Sequence, residues 1–223
     1  LIIFFLAPLA IVLVYSFLER GTYGGVEWTF TIENFKRVFD MLYLGTFLNS
    51  AKIALLTTVI ALLVGYPIAY FIATRPPKMR STLLLALMVP FWTNFLIRTY
   101  AWLTLLRTNT GLINVTLMNL GIIDEPLALF GNTFAIVLGL VYGWLPDMIL
   151  PIYAALDRLD HSLVEAAEDL YAPGTKVFRR IIFPLSLPGV VAGSMLVFIP
   201  SLGAFVTPAI LGGGKTLMIG NII

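Results

Sequence analysis

The sequence predicts an all-α polytopic membrane protein, and three observations carry that prediction. Only 12% of its 223 residues are charged, about half of what a soluble domain carries. The mean hydropathy is +0.95. Its apolar residues gather into long runs, near the roughly 20 residues that a membrane helix needs. A formal net charge of +2 is too small to point to a nucleic-acid partner. The absence of cysteine excludes disulfides, thiolate metal sites and cysteine nucleophiles.

Five runs qualify as spans. Residues 1–18 (LIIFFLAPLAIVLVYSFL) form the first. They begin without Met or a basic n-region, so a truncated span fits better than a cleaved signal peptide. The second is 53–74, and the third, 81–106, is apolar apart from Arg98. The fourth, 133–156, is apolar apart from Asp147. The fifth, 181–211, is uncharged, rich in Gly and Pro, and longer than one span requires. Residues 111–123 (GLINVTLMNLGII) are too short to cross and read as an interfacial helix or a lid over an external mouth. The C-terminal GNII marks returning apolarity, so a sixth span is expected beyond it. The whole reads as a single membrane domain, 1–223, truncated at both ends.

Basic residues orient the spans. Arg75, Lys78 and Arg80 crowd the short turn RPPKMR, and Arg158, Lys176, Arg179 and Arg180 crowd the segment after the fourth span. The opposite loops hold Arg20, Lys36, Arg37, Lys52, Arg107 and Lys215 over more than twice the length. The denser side is expected to be cytoplasmic, with the N-terminus inside.

The cytoplasmic segment 157–183 is the polar anomaly of the chain. It carries Asp157, Arg158, Asp160, Glu165, Glu168, Asp169, Lys176, Arg179 and Arg180. Ser162-Leu163-Val164-Glu165 has the form of a capping box, which predicts a helix from Leu163. Leu163, Ala166, Ala167 and Leu170 then share one narrow face. Ala172-Pro173-Gly174 breaks the helix, and Thr175 is expected to cap a second short one. A helix–turn–helix with a small Ala-Ala centre and an acidic flank suits docking into a groove on another protein. A plain solvated loop is the competing reading. A third is a metal or acid–base site from His161, Glu165 and Glu168, although no second acidic segment completes a ligand shell.

Glu165-Ala166-Ala167, followed after a turn by Ile181-x-Phe183-Pro184, resembles the EAA motif of binding-protein-dependent ABC importer permeases. That motif reads EAA, three residues, Gly, nine residues, I-x-L-P, and the spacing here matches it throughout. Tyr171 stands at the usual Gly and Phe183 at the usual Leu. Because Tyr takes a positive φ only at a cost, the turn is expected to rely on Gly174. GYPIAYFIA (65–73), VPFWTNFLIRTYAW (89–102) and PLSLPGVVAG (184–193) are similar to the spermidine/putrescine subgroup.

The resemblance implies a type I ABC importer transmembrane domain with its core at about 46–223. It assigns Glu165, Ala166, Ala167, Leu170, Tyr171 and Gly174 to a coupling helix seated in a cytoplasmic ATPase. It also implies a second permease, two ATPase subunits that hold ATP and Mg, an external solute-binding protein and the bacterial inner membrane. The chain itself is then a transport subunit with no catalytic residue, no metal and no cofactor of its own. Gly212-Gly213-Gly214-Lys215-Thr216 looks like part of a phosphate loop, but Ala209 occupies the first Gly position and the segment reads as an external loop. The cargo implied is a polyamine, with ferric iron, thiamine or an oxyanion as alternatives, and a membrane-embedded metal enzyme as the reading of a different class.

Ionisable residues inside spans are costly and face protein or water. Asp147 could guide a cationic cargo, with Trp92, Tyr142 and Trp144 offering cation–π faces and Asn94 a polar contact. Alternatively, Arg98 and Asp147 pair and hold the third and fourth spans together. Pro90, Pro146, Pro151, Pro188 and Pro200 free carbonyls that could line a path, or simply kink their helices.

Overall fold

The computed structural model describes residues 2–21, 24–214 and 216–222. Its backbone divides into two compact units, Leu1–Leu48 and Asn49–Ile223.

The first unit opens with α1 (Ile2–Ser16). A short antiparallel hairpin follows, β1 (Leu18–Arg20) and β2 (Val26–Phe30), in which Leu18 pairs Phe30 and Glu19 pairs Glu27. The sequence reads this stretch only as a loop, and the hairpin is an addition to the all-α fold. Its sequence explains it: Val26, Trp28, Thr29 and Phe30 favour extended backbone, and Gly24 and Gly25 supply the positive φ values (91° and 83°) of the connection. The helix α2 (Glu33–Val38) follows, and the unit ends within the next helix, at Leu48. Asn34 Nδ2 donates to the carbonyls of Ser16 (3.1 Å) and Leu18 (2.9 Å). Phe17 stacks on Phe30 at 5.6 Å and meets Phe35 at a tilt, 5.0 Å between ring centres.

The long helix α3 (Met41–Ala73) holds all but the last residue of the second predicted run and starts twelve residues earlier than it. The third run is not one helix. It becomes α4 (Pro77–Met88), a 3₁₀ turn (Val89–Trp92) and α5 (Phe95–Leu106), bent by 83°. Thr93 is extended and the Asn94 side chain accepts the N–H of Leu96 at 2.8 Å, starting a new helix where apolarity alone reads on. The helix α6 (Leu112–Asn119) occupies the short interfacial stretch. The fourth run is α7 (Thr133–Asp157), N-capped by Asn132 through the N–H of Ala135.

The helices α8 (His161–Asp169) and α9 (Gly174–Val177) lead into a π turn (Phe178–Ile182) and α10 (Phe183–Leu202). Pro184 removes a backbone donor just beyond the π turn, the kind of site where an extra residue enters a helix. The fifth run is therefore split, since α10 ends at Leu202 and α11 (Val206–Leu211) is separate.

Of the described helices, α3, α7 and the continuous stretch Gly174–Leu202 are long and apolar enough to cross a membrane, and the bent α4–α5 pair makes a fourth if counted as one span. The structure thus differs from five single-helix spans. Within α1 the apolar helix Leu6–Ser16 is shorter than that length.

The main core of the second unit joins α3, α7 and α10 through Ile53, Ala61, Ala69, Leu140, Met148, Ile149, Ile152, Val190 and Val197. Small residues let α7 and α10 approach closely. A Cβ built on Gly189 would lie 2.5 Å from the Pro151 carbonyl oxygen and 2.7 Å from Ala155 Cβ, and one on Gly193 would lie 3.0 Å from the Met148 carbonyl oxygen. This is the Gly-x-x-x-Gly logic of helix pairs in lipid. Tyr66 of α3 hydrogen-bonds Ser186 of α10 at 2.8 Å. Outward-facing Leu63, Val191, Met195 and Ile199 remain exposed, as surfaces solvated by lipid or a membrane partner require.

Candidate functional site

The charged segment is built from one end of the core. Arg80 pairs with Asp157, and the Tyr153 hydroxyl donates to the same carboxylate at 3.3 Å. The RPPKMR turn and the charged segment therefore lie at one end of the bundle. The helix α8 begins at His161, earlier than the capping-box reading, because Asp160 rather than Ser162 acts as the cap. Its carboxylate accepts the Ser162 N–H at 3.0 Å.

On α8, Val164 and Ala167 turn half-buried onto the core, against which Leu159 and Phe178 also pack. Glu165, Ala166, Asp169, Leu170 and Tyr171 face away from it. The expected apolar face is thus divided: Ala167 packs inward, and Leu163, Ala166 and Leu170 remain exposed.

The end of α8 corrects the expected turn. Tyr171, at φ 55°, is the described non-glycine residue with positive φ, and Gly174 is not in that region. The Ala172 N–H donates to the Ala167 carbonyl at 3.1 Å. A six-to-one bond across a left-handed residue is the Schellman C-cap. Its geometry demands the left-handed conformation at position 171, whatever residue is there. Gly174 instead opens α9 after Pro173, with no side-chain cap, so Thr175 does not cap that helix. Beyond it, the Phe178 ring meets Tyr66 and Tyr70 of α3 edge-on at 5.8 and 5.9 Å.

Among the residues proposed within the spans, the structure joins Arg98 to Tyr142. The guanidinium carbon lies 4.8 Å from the Phe91 ring centre, 5.7 Å from Phe95 and 6.0 Å from Tyr142. Tyr142 also stacks on Phe91 at 5.4 Å and meets Trp102 edge-on at 5.5 Å. Arg98 Nε and Nη1 are buried without a hydrogen-bond partner among the described residues. The ion pairs among those residues are Arg37–Glu33 and Arg80–Asp157, so Arg98 and Asp147 do not pair. Helix geometry explains this: five residues separate Tyr142 from Asp147, which places them roughly 140° apart around α7.

Asp147 is half-buried on another side of α7, three residues from Trp144, whose buried indole N–H has no partner among the described residues. Trp92 is 75% exposed, and Asn94 is engaged as the α5 cap. The six residues therefore form no single cluster. Pro151 frees the Asp147 carbonyl within α7, while its own carbonyl lies against Gly189.

The side chains of His161 and Glu168 lie outside the described residues, as does Lys215. Among the described residues no group of three or more His, Asp or Glu is placed to hold a metal. Gly213 and Gly214 have φ values of 59° and 74°, a turn just before position 215. Sequence reasoning missed the glycine contacts of Gly189 and Gly193; the spacing G-V-V-A-G was their available signal.

The described residues form a helical membrane domain with an exposed, charged helix–turn–helix at one end. The chain belongs to the family described as binding-protein-dependent transport system inner membrane component, which matches residues 65–223. It is accordingly an integral inner-membrane protein of the ABC type I transmembrane class, with a transport role. Along its whole length it is 43% identical to the spermidine/putrescine transport system permease protein PotB of Escherichia coli K12, covering 81% of that protein. It is 42% identical, again over its whole length, to the PotB of Haemophilus influenzae, covering 78% of it. It is 34% identical over 207 residues, 86% of this chain and 65% of the relative, to the inner membrane ABC transporter permease protein YdcU of E. coli K12.

Proposed function

We propose that this chain is one permease subunit of an ATP-driven importer of polyamines. The observation that carries the cargo is the 43% identity, across the full chain, to permeases named for spermidine and putrescine. The implied assembly adds a second permease, two ATPase subunits that bind ATP and Mg, and an external solute-binding protein. The exposed segment Glu165–Gly174 is the contact with the ATPase. Support comes from its construction: Val164 and Ala167 fasten it to the core, and the helix from Gly174 to Leu202 continues from it without a break. A push on α8 and α9 is therefore delivered along α10 to its crossing with α7. Domain rotation of this kind switches a bundle between two packed states. Asp147 is the acid that lowers the cost of moving ammonium groups through the bundle.

ATP-driven uptake of radiolabelled spermidine by the reconstituted complex tests the cargo; uptake of an anion and of no polyamine overturns it. In the same complex Glu165→Lys is expected to abolish substrate-stimulated ATP hydrolysis while the protein inserts normally. Ala166→Trp is the matching steric variant, because Ala166 is exposed whereas Ala167 packs on the core. Stimulated hydrolysis unchanged in both variants removes the coupling role.

The N-terminus and the charged segment are on the cytoplasmic side in this reading. Cysteines introduced at positions 36 and 176, in a chain that has none, report it. An impermeant maleimide on intact cells is expected to label position 36 and spare 176. The reverse pattern inverts the topology.

A further inference from the structure

A groove follows the joint of α7 and α10 at the end of the bundle that carries the charged segment. It encloses about 630 Å³ over Pro151, Ala154, Ala155, Pro188, Gly189 and Ala192. Side chains this short leave the joint unfilled. Leu163 of α8 and Leu185 of α10 flank the groove, 46% and 48% exposed. Arg158 and Asp160 line its charged end. Arg158 takes no part in the ion pairs among the described residues, which are Arg37–Glu33 and Arg80–Asp157. Seven residues of α7 separate Arg158 from Pro151, about 10 Å of helix. The groove therefore descends from the charged end into the depth of the hydrocarbon.

We infer that this groove binds one phospholipid with a primary-amine headgroup, its acyl chain over the small residues and its phosphate on Arg158. A guanidinium presents paired N–H donors that match the oxygens of a phosphate. The acyl chain covers Ala154 and Ala192, which are otherwise exposed. Asp160, two residues beyond Arg158, adds a negative charge at the same end. That charge disfavours a headgroup with net negative charge and favours an ammonium beside the phosphate. A helix of a second permease would instead press apolar side chains onto the guanidinium and leave its donors unanswered. Lys176, Arg179 and Arg180, exposed on the same segment, hold this end at the headgroup layer. Glu165 and Asp169, equally exposed, are not among the residues that line the groove. Because Leu163 belongs to α8, the bound lipid also braces the first turn of that helix. Placing the lipid in the cytoplasmic leaflet rests on the topology proposed above; the binding itself depends on neither cargo nor ATPase.

The test is native mass spectrometry of the purified complex, stripped of lipid in detergent. The complex is then titrated with phosphatidylethanolamine, phosphatidylcholine or phosphatidylglycerol of matched chains. The natural chain is expected to hold one phosphatidylethanolamine at this site, at least about tenfold more tightly than either other lipid. Arg158→Gln is expected to weaken that binding about tenfold, as loss of a charge-assisted hydrogen bond does. Arg158→Lys keeps the charge and is expected to stay within about threefold. Ala192→Trp fills the groove and is expected to lose the bound lipid. Both positions are exposed, so the thermal midpoints of Arg158→Gln and Ala192→Trp without lipid are expected to match the natural chain. A photoreactive benzoylphenylalanine at position 154, in the complete complex in its membrane, is expected to form a lipid adduct.

Undiminished phosphatidylethanolamine binding by Arg158→Gln and Ala192→Trp overturns the site, as does equal retention of the three lipids. Crosslinking of position 154 to a second permease and not to lipid gives the groove to that chain and overturns it as well.

Discussion

Gly189→Leu is expected to destabilise the crossing of α7 and α10 severely. The first atom of any side chain at position 189 would fall 2.5 Å from the Pro151 carbonyl oxygen and 3.0 Å from Ile152 Cα. Both are backbone atoms of α7, so no rotamer change relieves the overlap and the helices must separate. Their separation loosens Met148, Ile149, Ile152 and Val190, which are all buried in the same core. Overpacking of this kind costs up to about 3 kcal/mol. For a domain of this size that corresponds to roughly 6–12 °C in thermal midpoint. Gly203→Ala is the control, since a Cβ there meets nothing within 4 Å, and it is expected to stay within about 0.5 kcal/mol of the natural chain. The measurement is the temperature at which half of a detergent-solubilised fluorescent fusion leaves its monodisperse peak. Equal midpoints for the two variants refute the crossing as the determinant of stability.

Asp147→Asn is expected to cut spermidine uptake by at least about tenfold while insertion and ATPase docking persist. A polyamine ammonium loses hydration on entering the bundle. A fixed carboxylate about 4 Å away returns about 4 kcal/mol at the effective dielectric of a partly hydrated site. If only a third of that survives the carboxylate's own desolvation, the rate still changes about tenfold. The structure sharpens the experiment because Asp147 holds no ion pair with Arg98, whose guanidinium lies over Phe91 and Tyr142. Neutralising Asp147 therefore strands no buried partner, and the variant is expected to express at the natural level. Adding Arg98→Gln is expected to give no rescue. Full spermidine uptake by a well-expressed Asp147→Asn protein removes Asp147 from the path. Rescue by the double variant restores the pairing of spans three and four.

Most of the architecture was legible because a membrane turns it into a one-dimensional property. A helix in lipid satisfies its own backbone, so the apolar runs around α3, α7 and α10 announced themselves by length. The charged segment was legible for the complementary reason: carboxylates and guanidiniums clustered between two such runs have to lie outside the hydrocarbon. The spacing from Glu165 to Pro184 then pointed to the family that the comparison with known proteins shows. Run length was a poorer guide wherever short-range hydrogen bonding competes with hydropathy. Residues 81–106 read as one span until Asn94 capped a new helix in their middle, and β-formers with two glycines folded part of the first loop into a hairpin.

Composition, run length and motif spacing by themselves determined the membrane class, the position of the polar segment and the residues that compose it. Tertiary structure alone decided which of those residues meet. Arg98 and Asp147 read as natural partners because each is an isolated charge in an apolar run. Their angular positions around the packed helices set Arg98 on the ring of Tyr142 instead. Tyr171 read as a poor turn residue from its own conformational preference. The helix end nevertheless imposes the left-handed conformation, because the Ala172 N–H must find the Ala167 carbonyl. Gly189 and Gly193 carried no meaning until α7 lay against them, since the need for a missing side chain exists only where another backbone occupies its place.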